Sequence, residues 1–591
     1  MTNTSRRQFL TQSASLAAVG SSAALVACGG SGGSNSVPAQ FLYGVASGDP
    51  LTNRIILWTH AKRPNQESDV NLTWQIANDY GFTNIANSGS VLATNIAGNT
   101  AKVDATGLTA GKTYYFRFVD ETGASSPIGT TRTLPEASAT SVKFAVFSCT
   151  LYSAGFFNVY ESALSSGAQY AVHLGDYIYE YGSDAAKFGN TDSTTTPAGT
   201  AVSLGRVVSP SNDIVSLTDY RTRYAQYRSD TNLQQLHAKM PWITVWDDHE
   251  FANNAYMTGA QNHDPATQGD WATRKKIAAQ VYHEWMPIRS PDASNLLKIY
   301  RKFDFGSLFT LHMVDTRIEG RTKQVYGWYG DPFDAKVQPY TWSDYSAGLT
   351  LTNGTYPDAA NKMMSDEQMK WLTDNIGSAT TSWQIMGNQD IMAKLWYPAT
   401  VVSAFNQGNS AFQTAVSNYL TTKAGNPANT SSVSKVPLNL DSWDGYPINR
   451  ETLLQTIRGT GKKLVVLSGD SHNAWFNDLR TLDGTTKVGV EFATASVTAP
   501  GYESAGLGDL APYIDGTGLL PITGGANGTR AGLIDDVNYV DTKRRGYLLM
   551  TVTATSVKGE YVFVDTVRSK SYSASVGKTV TVAANLTASY S

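Results

Sequence analysis

Residues 142–149, VKFAVFSC, and residues 169–176, QYAVHLGD, frame the stretch that decides the fold. Each begins as a run of β-branched and aromatic residues and ends on polar side chains. Residues 156–165, which lie between them, carry apolar side chains at helical spacing. A strand, a helix and a second strand in this order predict a βαβ unit, whose two strands run parallel.

The alternation of strands and helices continues along the rest of the chain. The sequence predicts strands at Trp242–Trp246, Leu308–Val314, Trp383–Met386 and Leu464–Leu467, amphipathic helices at 366–376 and 449–457, and a final hairpin at 548–553 and 560–565. Three polar, glycine-rich insertions, at about 183–205, 397–436 and 501–535, are too long for plain connections and are candidate lids.

The first part of the chain, residues 41–134, has a different pattern. Short alternating runs such as residues 54–59 and 113–118 lie between Asn, Gly and Asp turns, roughly ten residues apart. This spacing predicts a small antiparallel β-sandwich of the fibronectin type. Because 591 residues exceed what one hydrophobic core usually serves, we expect a β-sandwich domain at 38–135 and an α/β domain at 140–575.

Residues 1–35 have the pattern of an export leader and are set apart from the fold. A twin-arginine pattern at Arg6 and Arg7 precedes an Ala- and Ser-rich stretch too weakly hydrophobic for a transmembrane helix, and a Gly/Ser linker follows Cys28. We expect export by the twin-arginine pathway and acylation of Cys28, which would leave the protein periplasmic or extracellular and anchored to the membrane. The alternative is an ordinary signal peptide in which Cys28 is incidental.

Net charge and cysteine content limit the kinds of molecule that the protein is expected to bind and the disulfides that it can form. The chain carries a net charge of −3, has a pI near 6.3, and contains no run of Lys or Arg longer than three residues after the leader. Duplex nucleic acid is therefore not expected as a partner, because surfaces that follow phosphates need clustered cations. The chain has two cysteines, so once Cys28 is assigned to the leader, Cys149 is the single remaining thiol and cannot form a disulfide within the chain.

Polar side chains follow five of the predicted strands. The clusters are Ser148–Cys149, Gly175–Tyr179, Asp247–Glu250, Gly387–Asp390 and Gly469–Asn473. In an open α/β sheet the ligand crevice lies outside the carboxyl ends of the strands, so these clusters are expected to converge there. Buried acids beside one another are costly unless a cation compensates them. The sequence therefore predicts a pair of metal ions at this edge of the sheet.

The order of these clusters resembles the five-block signature of calcineurin-like metallophosphoesterases, and within them the PhoD-type alkaline phosphatases and phosphodiesterases. The likeness to that branch rests on residues 246–250 (WDDHE) with Asn253 and Asn254, on residues 443–447 (WDGYP), and on residues 44–50 (GVASGDP). The resemblance covers nearly all of the chain after its first 40 residues. It implies a four-layer α/β/β/α metallophosphoesterase domain after the fibronectin-like β-sandwich.

Carried over position by position, the resemblance implies two metal positions that share one bridging aspartate. The first is held by Cys149, Asp176, Tyr179 and His472. The second is held by Asp176, Asp248 and Asp470, with Gln389 or Asn388 as a candidate neutral ligand. Thiolate, phenolate and imidazole suit iron and the all-oxygen position suits calcium, so Fe³⁺ and one or more Ca²⁺ ions are the expected cofactors. Asp247 is an alternative to Asp248, since adjacent residues of a strand point to opposite faces.

His249 directly follows a predicted ligand and is the candidate catalytic residue, placed to protonate the leaving oxygen of the substrate. The expected activity is hydrolysis of small phosphate esters by a metal-activated hydroxide. The expected role is phosphate acquisition, and the protein is expected to be a monomer. A phospholipase D-like phosphodiesterase that acts on lipid headgroups is the nearest alternative. A redox enzyme lacks support, because the chain has no CxxC, haem-attachment or dinucleotide-binding motif. A non-catalytic binding lipoprotein would not need the acid and histidine clusters.

Overall fold

A computed structural model describes residues 37–183, 200–324, 361–405, 409–425, 435–437, 439–505, 508–517 and 532–591. The leader with Cys28 and parts of each candidate lid insertion lie outside these ranges, so what was predicted for them stays a prediction. No helix within the described ranges is long and apolar enough to cross a membrane.

The strands, in chain order, are β1 (Val45–Gly48), β2 (Arg54–His60), β3 (Val70–Ala77), β4 (Ile85–Ala93), β5 (Thr100–Thr106), β6 (Thr113–Asp120), β7 (Gly129–Arg132), β8 (Ser141–Phe147), β9 (Tyr170–His173), β10 (Trp242–Thr244), β11 (Arg301–Phe305), β12 (Phe309–Met313), β13 (Trp383–Gly387), β14 (Trp396–Pro398), β15 (Lys435–Pro437), β16 (Leu464–Ser468), β17 (Ala474–Arg480), β18 (Lys487–Ala493), β19 (Val537–Asp541), β20 (Arg545–Thr553), β21 (Ser556–Val564), β22 (Ala574–Ala583) and β23 (Ala588–Tyr590). The α-helices are α1 (Asn158–Ala163), α2 (Thr200–Ser203), α3 (Leu217–Arg228), α4 (Thr231–Lys239), α5 (Pro265–Gln268), α6 (Trp271–Trp285), α7 (Asp366–Ser378), α8 (Ala399–Phe405), α9 (Asn409–Gly425), α10 (Pro447–Thr460) and α11 (Ala511–Ile514).

The predicted βαβ unit is confirmed. β8 and β9 pair in parallel, with Phe144 opposite Tyr170, and α1 lies between them in the chain. β9 pairs in parallel with β10, with Ala171 opposite Trp242. β12, β13 and β16 form a second parallel set. Within each set the carboxyl ends lie at one edge of the sheet, so the polar segments that follow the strands are brought together.

Two large sheets pack face to face. The ten-stranded sheet has the order β23-β22-β21-β20-β8-β9-β10-β1-β2-β5, and the seven-stranded sheet has the order β11-β12-β13-β16-β18-β17-β19. Side chains from both sheets share one buried core, in which the ring centroids of Phe144 and Phe309 lie 5.6 Å apart. The burial of apolar area between two sheets is the main favourable contribution to holding these layers together.

The alternation of side chains along β13 and β16 shows what covers each face of the seven-stranded sheet. Ile385 and Val465 belong to the core between the sheets, whereas Met386 and Val466 belong to a second core that includes residues of α7 and α10. Residues of α1 and α4 pack against the ten-stranded sheet in the first core. Helices therefore cover both sheets, and the predicted α/β/β/α architecture is confirmed.

The N-terminal residues form the predicted β-sandwich, but one of its two layers is shared. β3, β4, β6 and β7 make a separate four-stranded sheet, and Leu72 and Phe116 from it share a core with Ile55. β1, β2 and β5 instead extend the ten-stranded sheet, because β1 pairs in parallel with β10, with Gly48 opposite Trp242. This pairing satisfies the edge of β10, which would otherwise present unpaired backbone groups.

Candidate metal centre at the strand ends

The predicted ligands lie where strands of the two facing sheets end. Cys149 follows β8, Asp176 follows β9 and Asp248 follows β10, all in the ten-stranded sheet. Asp470 and His472 follow β16 of the seven-stranded sheet. The first three are buried and the last two are partly buried. The packing of the two sheets therefore brings together residues that are more than 300 positions apart in the sequence.

The first predicted metal position is assembled in the structure. Donor atoms of Cys149, Asp176 and His472 lie within 4.8 Å of one another. The Tyr179 hydroxyl donates to Asp176 Oδ2 at 3.1 Å and lies 3.1 Å from His472 Nε2. His472 Nδ1–H donates to the Pro500 carbonyl at 2.7 Å, which leaves the lone pair on Nε2, facing the cluster. A thiol, a carboxylate, a phenol and an imidazole thus surround one point.

The second predicted position contains four carboxylates, and His249 lies beside them. Two groups of donor atoms lie within 4.8 Å of one another: Asp247, Asp248 and Asp470, and Asp176, Asp248 and His249. Asp248 belongs to both groups, and Asp176 belongs to this position and to the first, as expected of a bridging residue. Asp247 instead directs Oδ1 at the Arg317 guanidinium, 2.5 Å away. The geometry favours Asp248 over Asp247 as the residue shared with Asp176.

The backbone is left-handed at four of the predicted ligands. The angle φ is 61° at Cys149, 56° at Asp176, 53° at Asp470 and 60° at His472. A non-glycine residue in this region costs about 1–3 kcal/mol, which the surrounding packing must supply, and such strain clusters at functional sites. At Gly175, φ is 114° and an added Cβ would lie 2.5 Å from a backbone nitrogen of the segment after β10, so glycine is required there.

Burial and like charge act together on the ionisable groups. Burial and neighbouring carboxylates raise the pKa values of Cys149, Asp176 and Tyr179 well above their ordinary values. Burial is the largest cause that raises the pKa of Asp470 to about 8, and burial lowers the pKa of His472 to about 3. Each shift favours the neutral form of the side chain. A bound cation reverses this preference for the acids, so the site is suited to hold metal ions.

His249 pairs with a carboxylate that sequence analysis missed. His249 Nδ1 lies 2.6 Å from Glu180 Oε2, and Glu180 Oε1 accepts from the Asn253 backbone N–H at 2.7 Å. Burial lowers the pKa of His249, but the Asp248 and Glu180 carboxylates outweigh this effect and raise it to about 9. In the metal-free site these carboxylates favour the protonated imidazole, and the contact with Glu180 fixes the orientation of the ring. The one signal in the sequence was the position of Glu180 directly after the predicted ligand Tyr179.

Glu250 is a second residue that sequence analysis missed. Its carboxylate accepts three backbone N–H groups: Asp176 at 3.0 Å, Tyr177 at 2.6 Å and Asp247 at 2.7 Å. These bonds tie the segment after β9 to the segment after β10. Since both segments carry predicted ligands, Glu250 fixes the spacing between them. The one signal in the sequence was its place in the polar cluster Asp247–Glu250.

The neutral candidates Asn388 and Gln389 are bonded away from both metal positions. Gln389 Oε1 accepts from the Thr316 hydroxyl at 2.6 Å, and Gln389 Nε2 donates to the Val314 carbonyl at 2.8 Å. Asn388 Oδ1 accepts from Trp443 Nε1 at 3.0 Å. The structure brings neither amide into the groups of donor atoms described above.

A two-sheet α/β/β/α fold with acids and histidines clustered at its strand ends fits a hydrolase that holds metal ions. The family model for PhoD-like phosphatase matches residues 144–561, and the model for the PhoD-like phosphatase N-terminal domain matches residues 27–135. The chain belongs to the PhoD-like phosphatase family.

Individual relatives agree with this assignment. Alkaline phosphatase D of Bacillus subtilis (strain 168) is 32% identical over 481 residues, which cover 78% of this chain and 70% of that protein. A solved structure described as the structure of PhoD is 27% identical, with a TM-score of 0.72, and the match covers 95% of this chain and 93% of that one. The chain is therefore a phosphoesterase of this family, which confirms the activity class that the resemblance implied.

Proposed function

We propose that this protein is an exported alkaline phosphatase and phosphodiesterase that depends on Fe³⁺ and Ca²⁺ and releases phosphate from small esters. The observation that carries the proposal is the first metal position, where Cys149, Asp176, Tyr179 and His472 meet around one point. Thiolate, phenolate and imidazole are ligands that suit iron. A structural cluster would not need a thiol, a phenol and an imidazole aimed at the same carboxylate.

The second position fits a hard cation such as Ca²⁺. Among the described residues, Asp247 Oδ2 and Asp248 Oδ1 are buried and have no hydrogen-bond partner. An unpaired buried carboxylate oxygen is costly, and a cation that binds oxygen ligands in flexible number relieves that cost. The donors at this position are carboxylate oxygens, which calcium accepts and which iron or zinc would not require.

When bound, the metal ions supply a hydroxide at neutral pH and compensate charge on the phosphoryl oxygens. The protein's own residues orient the ligand side chains and supply the proton that the leaving oxygen takes up. His249, protonated and held through Nδ1–H by Glu180, donates a proton to the leaving oxygen, a contribution on the order of 10²–10⁴ in rate. Pro500 holds His472 in the tautomer that leaves Nε2 available, and Glu250 holds the two ligand segments at their spacing.

The leader supports the proposed location. Arg6 and Arg7 precede a weakly apolar stretch, and Cys28 stands before a Gly- and Ser-rich stretch, as in an exported lipoprotein. An acyl chain on Cys28 would keep the enzyme at the membrane, where esters outside the cytoplasm are met. Phosphate acquisition is the role that this location and the activity class together favour.

Metal analysis with activity assays tests the proposal. The purified full-length protein should contain iron and calcium and hydrolyse both p-nitrophenyl phosphate and bis-p-nitrophenyl phosphate. Charge transfer from the Tyr179 phenolate to Fe³⁺ should colour it purple, and Tyr179→Phe is the matched variant that should lose the colour. Colourless protein that stays inactive after reconstitution with iron and calcium would contradict the metal assignment.

Cell fractionation tests the location separately. Replacing Arg6 and Arg7 by Lys should hold the protein in the cytoplasm. Cys28→Ser should leave export intact but move the protein from the membrane to the soluble fraction, and should abolish labelling by a radioactive fatty acid. Membrane association that survives Cys28→Ser without label would show that the cysteine is incidental.

A further inference from the structure

Arg317, in the segment after β12, has a guanidinium that is fully buried and binds four carboxylates. Its Nε lies 2.5 Å from Asp247, its Nη1 lies 2.6 Å from Asp441, and its Nη2 lies 2.8 Å from Asp390 and 3.0 Å from Asp470. A planar guanidinium presents five N–H donors in a fixed fork and keeps its charge at any ordinary pH. One side chain therefore forms ion pairs with four acids that come from four separate segments of the chain.

Three of these acids form a group with the geometry of a cation site. Donor atoms of Asp390, Asp441 and Asp470 lie within 4.8 Å of one another, as do the donor atoms at the two proposed metal positions. In this group, however, Arg317 Nη2 donates a hydrogen bond to Asp470 Oδ1 at 3.0 Å and forms an ion pair with Asp390 Oδ1 at 2.8 Å. The protein itself therefore already places a positive charge among these three acids.

We propose that Arg317 is a built-in cation that fills the group formed by Asp390, Asp441 and Asp470, so that metal ions are confined to the positions around Asp176. Arg317 acts as a positioning residue, because it holds Asp470, a predicted metal ligand, through Oδ1. It also binds Asp247 through Oδ1, which leaves Asp247 Oδ2 without a hydrogen-bond partner. Nothing in the sequence singled out this arginine, since its four partners lie 70 to 153 residues away.

Arg321 provides a matched comparison. It is also fully buried and contacts Asp390 at 3.3 Å and Asp441 at 2.5 Å. It makes no ion pair with Asp247 or Asp470 among the described residues. Loss of Arg321 therefore removes a cation from the same acids but leaves Arg317 in place between Asp390 and Asp470.

The test counts metal ions in full-length variants. The proteins would be equilibrated with CaCl₂, passed through gel filtration and analysed for metal by mass spectrometry, and their melting temperatures would be followed against Ca²⁺ concentration. Arg317→Met should bind one more Ca²⁺ per chain than the wild type and should show a larger Ca²⁺-dependent rise in melting temperature. Arg321→Met should bind the wild-type number. The double variant Arg317→Met with Asp390→Asn should also bind the wild-type number, because one carboxylate of the group is gone.

An unchanged metal count in folded Arg317→Met would overturn the proposal. A second measurement does not depend on how that variant folds: wild-type crystals soaked in MnCl₂ and examined by anomalous diffraction. With Arg317 in place, no manganese peak should lie among Asp390, Asp441 and Asp470, and a peak there with the guanidinium displaced would refute the assignment.

The inference rests on metal binding at the proposed positions. Wild-type protein without any bound metal would remove the proposed function as well, whereas a metal-loaded wild type with no extra ion in Arg317→Met refutes the arginine's role alone.

Discussion

Replacement of His249 by Asn tests the step that the geometry assigns most specifically, transfer of a proton to the leaving oxygen. In the structure His249 Nδ1 lies 2.6 Å from Glu180 Oε2, and its pKa is raised to about 9 by Asp248 and Glu180. The amide of Asn can place an N–H donor near the position of Nδ1, so Glu180 keeps a partner. It cannot release a proton. The substitution therefore removes the acid and keeps a partner for Glu180, while the ring contacts of His249 with Tyr179 and Tyr181 are lost.

The size of the effect follows from the leaving group. General acid catalysis contributes about 10²–10⁴ in rate, which corresponds to about 2.7–5.4 kcal/mol of activation free energy. An alkoxide is a poor leaving group and needs the proton, so glycerol phosphate should show the full loss. A nitrophenolate leaves readily without one, so p-nitrophenyl phosphate should show a loss at least about tenfold smaller.

The assay compares kcat for both esters in the wild type and His249→Asn, with bound metal measured in the same samples. Retention of metal and of the wild-type melting temperature would show that the site is intact. An equal loss on both esters would refute the role of His249 as acid, because a residue that only organises the site would slow both substrates alike.

Four further outcomes are expected. Glu180→Gln should slow glycerol phosphate more than p-nitrophenyl phosphate, but by less than His249→Asn, since the imidazole remains and only its orientation and charge support are lost. Gly175→Ala should lower the melting temperature and the yield of folded protein, because the new Cβ would lie 2.5 Å from a backbone nitrogen at a φ of 114°; a wild-type melting curve would contradict this. Cys149→Ser should reduce bound iron far more than bound calcium, as measured by elemental analysis, since a serine hydroxyl does not ionise as a thiol does; equal loss of both metals would argue against separate positions. Metal-free protein should lose stability as the pH rises from about 6.5 to 8. The folded-state pKa of Asp470 is raised to about 8 and that of His249 to about 9, so the folded state binds more protons than the unfolded state in this window. Thermal melts across this range with a chelator present would detect the loss, and a stability that increases with pH would refute the prediction.

Much of the fold could be read from local patterns. The strand–helix–strand pattern of residues 142–176 predicted the parallel strands β8 and β9, and the alternating runs before residue 135 predicted the β-sandwich. The pattern could not show that β1 pairs with β10 and makes one continuous sheet. That pairing depends on which strand edge is open once the domains are folded, and an isolated run of residues carries no information about it.

The candidate site could likewise be predicted only in part from the sequence. Cys149, Asp176 and His472 were predicted as ligands from the family resemblance together with their positions after buried strands, whose carboxyl ends converge at one edge of the sheet. The roles of Glu180, which lies 69 residues from His249, and of Arg317, which joins four distant aspartates, were decided only by tertiary structure. A side chain's hydrogen bonds and charge pairs depend on what packs beside it. The sequence by itself therefore determined which groups stand at the edge of the sheet, and the packing of the two sheets decided which of them pair with one another and which are left to meet a cation.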